Sequence, residues 1–268
     1  MPKKSKHRMR AHINPMGELV VAYPLNPSFA QWHLHYPSFF NIKNNHGDVV
    51  YCNTTKHPID YNKAPVSEVK LSPKILDIGC GYGNFLVPLS NEFKDKLILG
   101  MEIRDKVVNY AAEKINTIRI NSGYKCYMNI AVVRTNAMKT IHNYFPKNSV
   151  EKMFFCFADP HFKKQNHRRR IISTGLLSDY LYTMKEGGKI YVVTDVKDLF
   201  DWEVGHMEAH PMLEKVDEAE NAGDPCVKFM REQTDEAKKV IRNEGQIWHA
   251  VFMKRAAPSM IKVFNFFK

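Results

Sequence analysis

This chain is short of acid. Against 39 Lys and Arg it holds 28 Asp and Glu, a formal net charge of +11 at pH 7. An excess of that size disfavours a protein built around small neutral metabolites and favours a polyanionic partner, nucleic acid first. Acid is absent from residues 1–10, which hold Lys3, Lys4, Lys6, Arg8 and Arg10, and again between Asp159 and Asp179. Cysteine is sparse as well. Cys52, Cys80, Cys126, Cys156 and Cys226 are odd in number and scattered, with no C-x-x-C pair. That excludes a disulfide framework and predicts reduced, intracellular thiols. The histidines form no H-E-x-x-H and no Cys/His ligand spacing, and His33 and His35 lie among aromatics, so no metal is expected. Long apolar runs are missing too. Met153 to Ala158 and Ile190 to Val193 are far too short to span a bilayer, and the basic, polar start has no secretory pattern, so a soluble protein is expected.

What remains is enough for one core. A chain of 268 residues with 44% hydrophobic content supports a single α/β domain with arms rather than two enzymes. Residues 1–40 read as an arm, basic at first and then rich in proline and aromatics (Pro15, Pro24, Pro27, Trp32, Tyr36, Pro37, Phe39, Phe40). Such prolines suit an extended segment laid over a folded body. Residues 41–73 read as a polar linker with one short strand at Val49-Val50-Tyr51. Regular alternation begins at Lys74. Strands are predicted at 74–78, 97–103, 129–134, 152–157, 189–194 and 247–254, and helices at 84–93, 105–120, 171–184 and 196–209. Such alternation implies a doubly wound, mostly parallel sheet in a domain over 74–255, with ligands at the carboxyl ends of the strands. Residues 256–268 form an apolar tail.

The first strand empties into Asp77-Ile78-Gly79-Cys80-Gly81-Tyr82-Gly83, a glycine-lined turn that lets a ligand approach the backbone. Asn84 stands where a dinucleotide fingerprint wants a third glycine, which favours a methyltransferase-type loop over an NAD loop. Glu102 closes the second strand, where a carboxylate can accept both hydroxyl hydrogens of a ribose. The competing account is a surface Glu paired with Arg104 or Lys106. After the third strand, Asn136 offers an amide to an adenine edge beside the small Ala137, or serves simply as a helix cap. The fourth strand runs into Ala158-Asp159-Pro160-His161-Phe162, placing the Asp159 carboxylate at a strand tip. Lys163, Lys164, His167, Arg168, Arg169 and Arg170 follow at once, and phosphate binding explains them better than a solvated run does. Thr234 has a complete structural account as the cap of a short helix carrying Asp235 and Glu236 in its first turn.

In their joint order these residues resemble the eukaryotic tRNA (guanine-N7)-methyltransferases. The likeness runs from Arg10-Ala11-His12 and Asn14-Pro15 through the glycine loop, Glu102-Ile103-Arg104, Asn136-Ala137 and Asp159-Pro160-His161-Phe162-Lys163, and on to Thr194-Asp195-Val196, Asp201-Trp202 and Thr234 with Glu236. Asp-Pro-His-Phe-Lys is far more specific than the glycine loop. The resemblance implies a class I, Rossmann-like methyltransferase fold with a seven-stranded sheet and S-adenosylmethionine as methyl donor. By position it implies cofactor contacts from Gly79, Gly81, Glu102, Ile103, Arg104, Asn136, Ala137, Cys156, Thr234 and Glu236, with Asp159 as the catalytic residue. It further implies a guanosine of the tRNA variable loop as target, a WD40 β-propeller partner subunit, and residence in the nucleus with the cytoplasm as a second compartment. One departure stands out: Ala158 occupies a position where the family commonly has proline. A methyltransferase of proteins or small molecules would not explain the basic span, and a non-catalytic RNA-binding subunit would not require Gly79, Gly81, Glu102 and Asp159 together.

Overall fold

The computed structural model describes residues 1–7, 13–17, 20–40, 49–62 and 71–256. The expectations for Arg8 to His12, for about half of the linker and for nearly all of the apolar tail fall outside these residues. Seven strands form one sheet: β1 (Ile75–Ile78), β2 (Ile98–Glu102), β3 (Ile130–Arg134), β4 (Val150–Cys156), β5 (Met184–Thr194), β6 (Leu213–Lys215) and β7 (Trp248–Lys254), in the order β3-β2-β1-β4-β5-β7-β6. The first five are parallel, and β7 runs antiparallel between β5 and β6. Every residue of β1 and β2 is buried, as strands covered on both faces require. The order turns back at β1, which has β2 on one side and β4 on the other. A crevice therefore opens at the carboxyl ends of β1, β2 and β4.

Helices fill both faces: α1 (Trp32–His35) in the arm, then α2 (Leu86–Glu92), α3 (Asp105–Asn121), α4 (Ala137–Tyr144), α5 (Thr174–Thr183), α6 (Lys197–Glu208), α7 (Glu218–Ala222), α8 (Pro225–Glu232) and α9 (Asp235–Arg242). Local chemistry starts several of them. Asn136, Asp217, Asp224 and Thr234 each accept a backbone N–H as N-cap, and Pro225 follows Asp224 as the first helical residue. The sequence reading missed α4, α7, α8 and the three-residue β6. It also placed a strand at Val49-Val50-Tyr51, where the backbone is irregular. There the Val50 N–H donates to Asn116 Oδ1 on α3 (2.8 Å), so a side chain takes the place of a ladder partner.

The arm is part of the core, and it is not wholly extended. It coils into α1 and short 3₁₀ turns at Pro27–Phe29 and Pro37–Phe39, each opening on a proline whose missing N–H costs nothing there. Trp32 is 2% exposed and stacks on Phe145 with ring centroids 5.6 Å apart, and the Tyr36 hydroxyl donates to the Ile98 carbonyl of β2 (2.8 Å). Trp32→Ala is expected to destabilise the protein by about 3–5 kcal/mol. An unchanged denaturation midpoint would show that the arm contributes nothing to the fold.

Candidate active site

The glycine loop hangs from β2. Gly79 and Cys80 both donate backbone N–H groups to the Met101 carbonyl (2.8 and 3.2 Å), which turns the chain sharply after β1. Gly79 has φ of 77°, and a Cβ there would project into open space, so the loop presents bare backbone to the crevice. Opposite, a Cβ on Gly100 would lie 2.6 Å from Cys80 Sγ; only glycine lets β2 pass this close.

Glu102 is 3% exposed at the tip of β2. Its Oε1 accepts from Arg104 N (2.9 Å) and Nε (3.0 Å), and its Oε2 from Arg104 Nη2 (2.9 Å) and Gly81 N (3.1 Å). The pairing with Arg104 weighed from sequence is therefore real, but it sits in the crevice and ties the glycine loop to the strand-two acid. Asp77, inside β1, was not singled out from sequence, although an acid within an apolar strand is itself a signal. Burial, with Glu236 and Glu102 nearby, pushes its carboxyl up to about 8. Burial and the same acidic surroundings push the Cys156 thiol up, which leaves it a neutral wall rather than a nucleophile.

On the far side, β4 exits through Phe157 (φ 52°), Ala158, Asp159, Pro160 and His161 (φ 45°). Two non-glycine residues in the left-handed region cost about 1–2 kcal/mol each, so neighbouring structure must impose the shape. Phe157 N donates to Val193 O (2.7 Å), and His161 N donates to Asp159 Oδ1 (3.3 Å). From below, Arg170 Nε donates to Pro160 O (2.9 Å) while Nη2 pairs with Asp198. Arg170 was expected among the phosphate-binding residues. It is 1% exposed, with its guanidinium 5.0 Å from the Trp202 ring centroid, and it braces the loop instead. Lys163, Lys164 and Arg168 are exposed, His167 is half-buried with its ring 5.2 Å from that of Trp202, and Arg169 reaches the crevice.

The crevice holds a cavity of about 660 Å³ bordered by Gly79, Glu102, Ile103, Arg104, Cys156, Asp159, Arg169 and Glu236, with Ile13 and Pro15 of the arm over it. A smaller recess of about 90 Å³ lies behind, between Asp77, Gly81 and Thr234. Two expected cofactor residues are not on these walls. Asn136 Oδ1 caps α4 by accepting from Met138 N (3.2 Å) while its Nδ2 donates to Pro15 O (2.6 Å), and Ala137 is buried; Met138 takes the wall position. Thr234 Oγ1 accepts from Ala237 N (3.0 Å) as the cap of α9 and borders only the recess. Lys239 and Asp195, which the sequence reading did not propose, border the cavity. Among the described residues no group of three His, Cys, Asp or Glu could hold a metal ion.

The fold and this acid-lined crevice define a methyltransferase: residues 72–250 match the family described as "Putative methyltransferase". The chain is 43% identical over 262 residues to a tRNA (guanine-N(7)-)-methyltransferase of Kluyveromyces lactis, covering 97% of this chain and 86% of that one. Proteins of the same name from Arabidopsis thaliana (41% identity, 96% and 93% covered) and Caenorhabditis elegans (41%, 97% and 91%) are similarly close. The chain belongs to the tRNA (guanine-N7)-methyltransferase family, whose methyl donor is S-adenosylmethionine. The residues suit that donor. Its ammonium and sulfonium would meet Asp77 and Glu236, its ribose would meet Glu102, and the side-chain-free Gly79 would let it approach the loop.

A cation entering this site favours the ionised form of Asp77. With its carboxyl at about 8, against 3.8 for an ordinary aspartate, the folded protein holds a proton that the unfolded chain has released between about pH 4 and pH 8. Stability therefore falls as pH rises through that window. Asp77→Asn is expected to remove this slope and raise the melting temperature of the empty protein at pH 7.5. It should also abolish the proton release that accompanies cofactor binding, measured by calorimetry in buffers of different ionisation enthalpy. Binding without proton release in the wild type would overturn the assignment.

Proposed function

We propose that this chain methylates N7 of a guanosine in the variable loop of tRNA. The supporting observation is the placement of Asp159 across the cavity from Gly79 and Glu102, at the foot of an exposed basic loop. Bound S-adenosylmethionine supplies a methyl group activated by the sulfonium. Guanine N7 carries a lone pair and no proton, so no residue needs to act as a base on the nucleophile. The task left to Asp159 is to accept from the guanine N1–H and N2–H, which orients the ring and stabilises the positive charge that develops on it. The guanine must leave its stack, at a cost of a few kcal/mol. Phosphate contacts from Lys163, Lys164 and Arg168 offset part of that cost.

Asp159→Ala is expected to leave S-adenosylhomocysteine affinity within about twofold and to lower methylation of tRNA by more than about 100-fold, the scale of a lost electrostatic group in the transition state. Labelled methyl transfer followed by nucleoside analysis measures it. Methylation at a position other than N7 would overturn the function, and near-normal activity of the variant would overturn the role of Asp159.

The partner belongs to the same proposal. One basic edge can hold a variable loop, but it offers no second surface for the rest of an L-shaped RNA, and a WD40 β-propeller subunit would supply one. The arm is its docking element. Val20, Tyr23 and Leu25 are 93%, 49% and 75% exposed on it, next to a segment already fixed to the body. The basic start of the chain suits a nuclear address, with the cytoplasm as a second compartment. Single-turnover methylation is expected to be slow for the chain alone and fast with the propeller, and full activity of the isolated chain would refute the dependence.

A further inference from the structure

Phe162 is an aromatic side chain left in water at a strained turn, next to His161 with φ of 45°. It is 72% exposed, and among the described residues no ring pairs with it. Burying a phenylalanine stabilises a fold, and this loop forgoes that gain. The exposure is imposed by geometry: His161 (φ 45°) turns the chain, Arg170 fixes the Pro160 carbonyl from below, and Phe162 comes out on the solvent side. Phe162 lies three residues from Asp159 and is followed at once by exposed Lys163 and Lys164, with Arg168 just beyond. An exposed aromatic ring beside a run of exposed cations suits single-stranded nucleic acid, with phosphates on the ammonium groups and a base face on the ring.

We propose that Phe162 is the stacking residue of this enzyme, its ring taking the place that the target guanine vacates and covering the neighbouring base. This rests on the proposed reaction at guanine N7 of tRNA. Three residues span at most about 10 Å, and successive bases lie about 3.4 Å apart, so a carboxylate holding the extracted guanine and a ring on its former neighbour fit one short rigid loop. The ring gives back stacking energy lost on extraction and contributes no base specificity, because every base has a π-face.

The test compares Phe162→Ala, Phe162→Leu and Phe162→Trp in the full chain, with its partner subunit where activity needs one. The substrates are a tRNA transcript and a short single-stranded RNA carrying the same guanosine. On the transcript, Ala and Leu are expected to slow single-turnover methylation roughly 5- to 150-fold, the equivalent of about 1–3 kcal/mol of stacking. Trp should stay within about threefold of wild type. On the single strand, where little unstacking is needed, the Ala and Leu defects should shrink several-fold, and S-adenosylhomocysteine affinity should not change in any variant. A merely structural role would slow both RNAs alike. Normal rates for Ala, or for Leu, would overturn the proposal, as would a loss of cofactor affinity. A defect that appears only as weaker binding of a protein subunit would make Phe162 a protein-docking residue and overturn it too. A wild-type chain that methylates no guanine N7 would instead remove the underlying reaction, an outcome seen before any variant is made.

Discussion

A single buried cation holds the reactive side of this molecule in place. Arg170 is almost wholly out of water, where an unpaired guanidinium would cost several kcal/mol. Its three partners lie on two segments: the Pro160 carbonyl on the loop that carries Asp159, and on α6 Asp198 near its start and the face of Trp202 one turn further on. Trp202 is itself pinned through its indole N–H to the Ile172 carbonyl (2.8 Å). Glu203, beside Trp202 in sequence, is buried, and burial pushes its carboxyl up to about 8 against the pull of the Arg170 charge. The loop that carries Asp159 is thus fastened to a helix face rather than to its own sequence neighbours, and its strained residues are held by that attachment.

Charge is segregated across the crevice in the sense the chemistry needs. The cofactor end gathers Asp77, Glu102 and Glu236, while the outer edge carries Lys163, Lys164, Arg168 and Arg169. Methyl transfer moves a positive charge from sulfur to the purine ring. Asp77 and Glu236 beside the recess would hold a sulfonium more strongly than the neutral thioether left after transfer, which would favour product release. In the proposed reaction the purine that gains the charge would face Asp159, where added attraction would lower the barrier. The formal net charge of +11 therefore says little about the cofactor end, which is locally acidic in a basic protein.

The strands were legible where they are buried on both faces, because continuous apolar runs such as Ile98 to Met101 have no other use in a chain of this composition. Elements on the margins were not. The three residues of β6 are too few to show a period, and in α8 the Asp224-Pro225 pair that caps the helix also reads as a turn. Polar side chains were the least legible. In sequence Arg170 is one more member of a basic run, and only the fold shows that Trp202 and Asp198 arrive to bury it. Asn136 carries the same ambiguity: cap and adenine contact ask for the same residue, and the arm claims its remaining amide hydrogen through Pro15. Asp77 is visible in sequence as an acid within an apolar strand, but only the fold brings Glu102 and Glu236 around it.

Ala158 shows how a loop keeps its shape without the residue that would stiffen it. Where the backbone accepts it, a proline acts mainly on the unfolded chain, removing freedom worth about 0.4–1 kcal/mol. The shape itself is set by contacts that do not involve residue 158: Phe157 N to Val193 O, His161 N to Asp159 Oδ1, and the Arg170 guanidinium to Pro160 O. A hydrogen bond from a charged donor is worth about 1.5–3 kcal/mol, so the Arg170 contact alone outweighs the stiffening that alanine gives up. Proline at 158 and the buried arginine at 170 thus act on different states of the chain, one narrowing the unfolded ensemble and the other fixing the folded loop. The folded loop is what presents Asp159 to the cavity, and the contacts that fix it do not involve the side chain at 158.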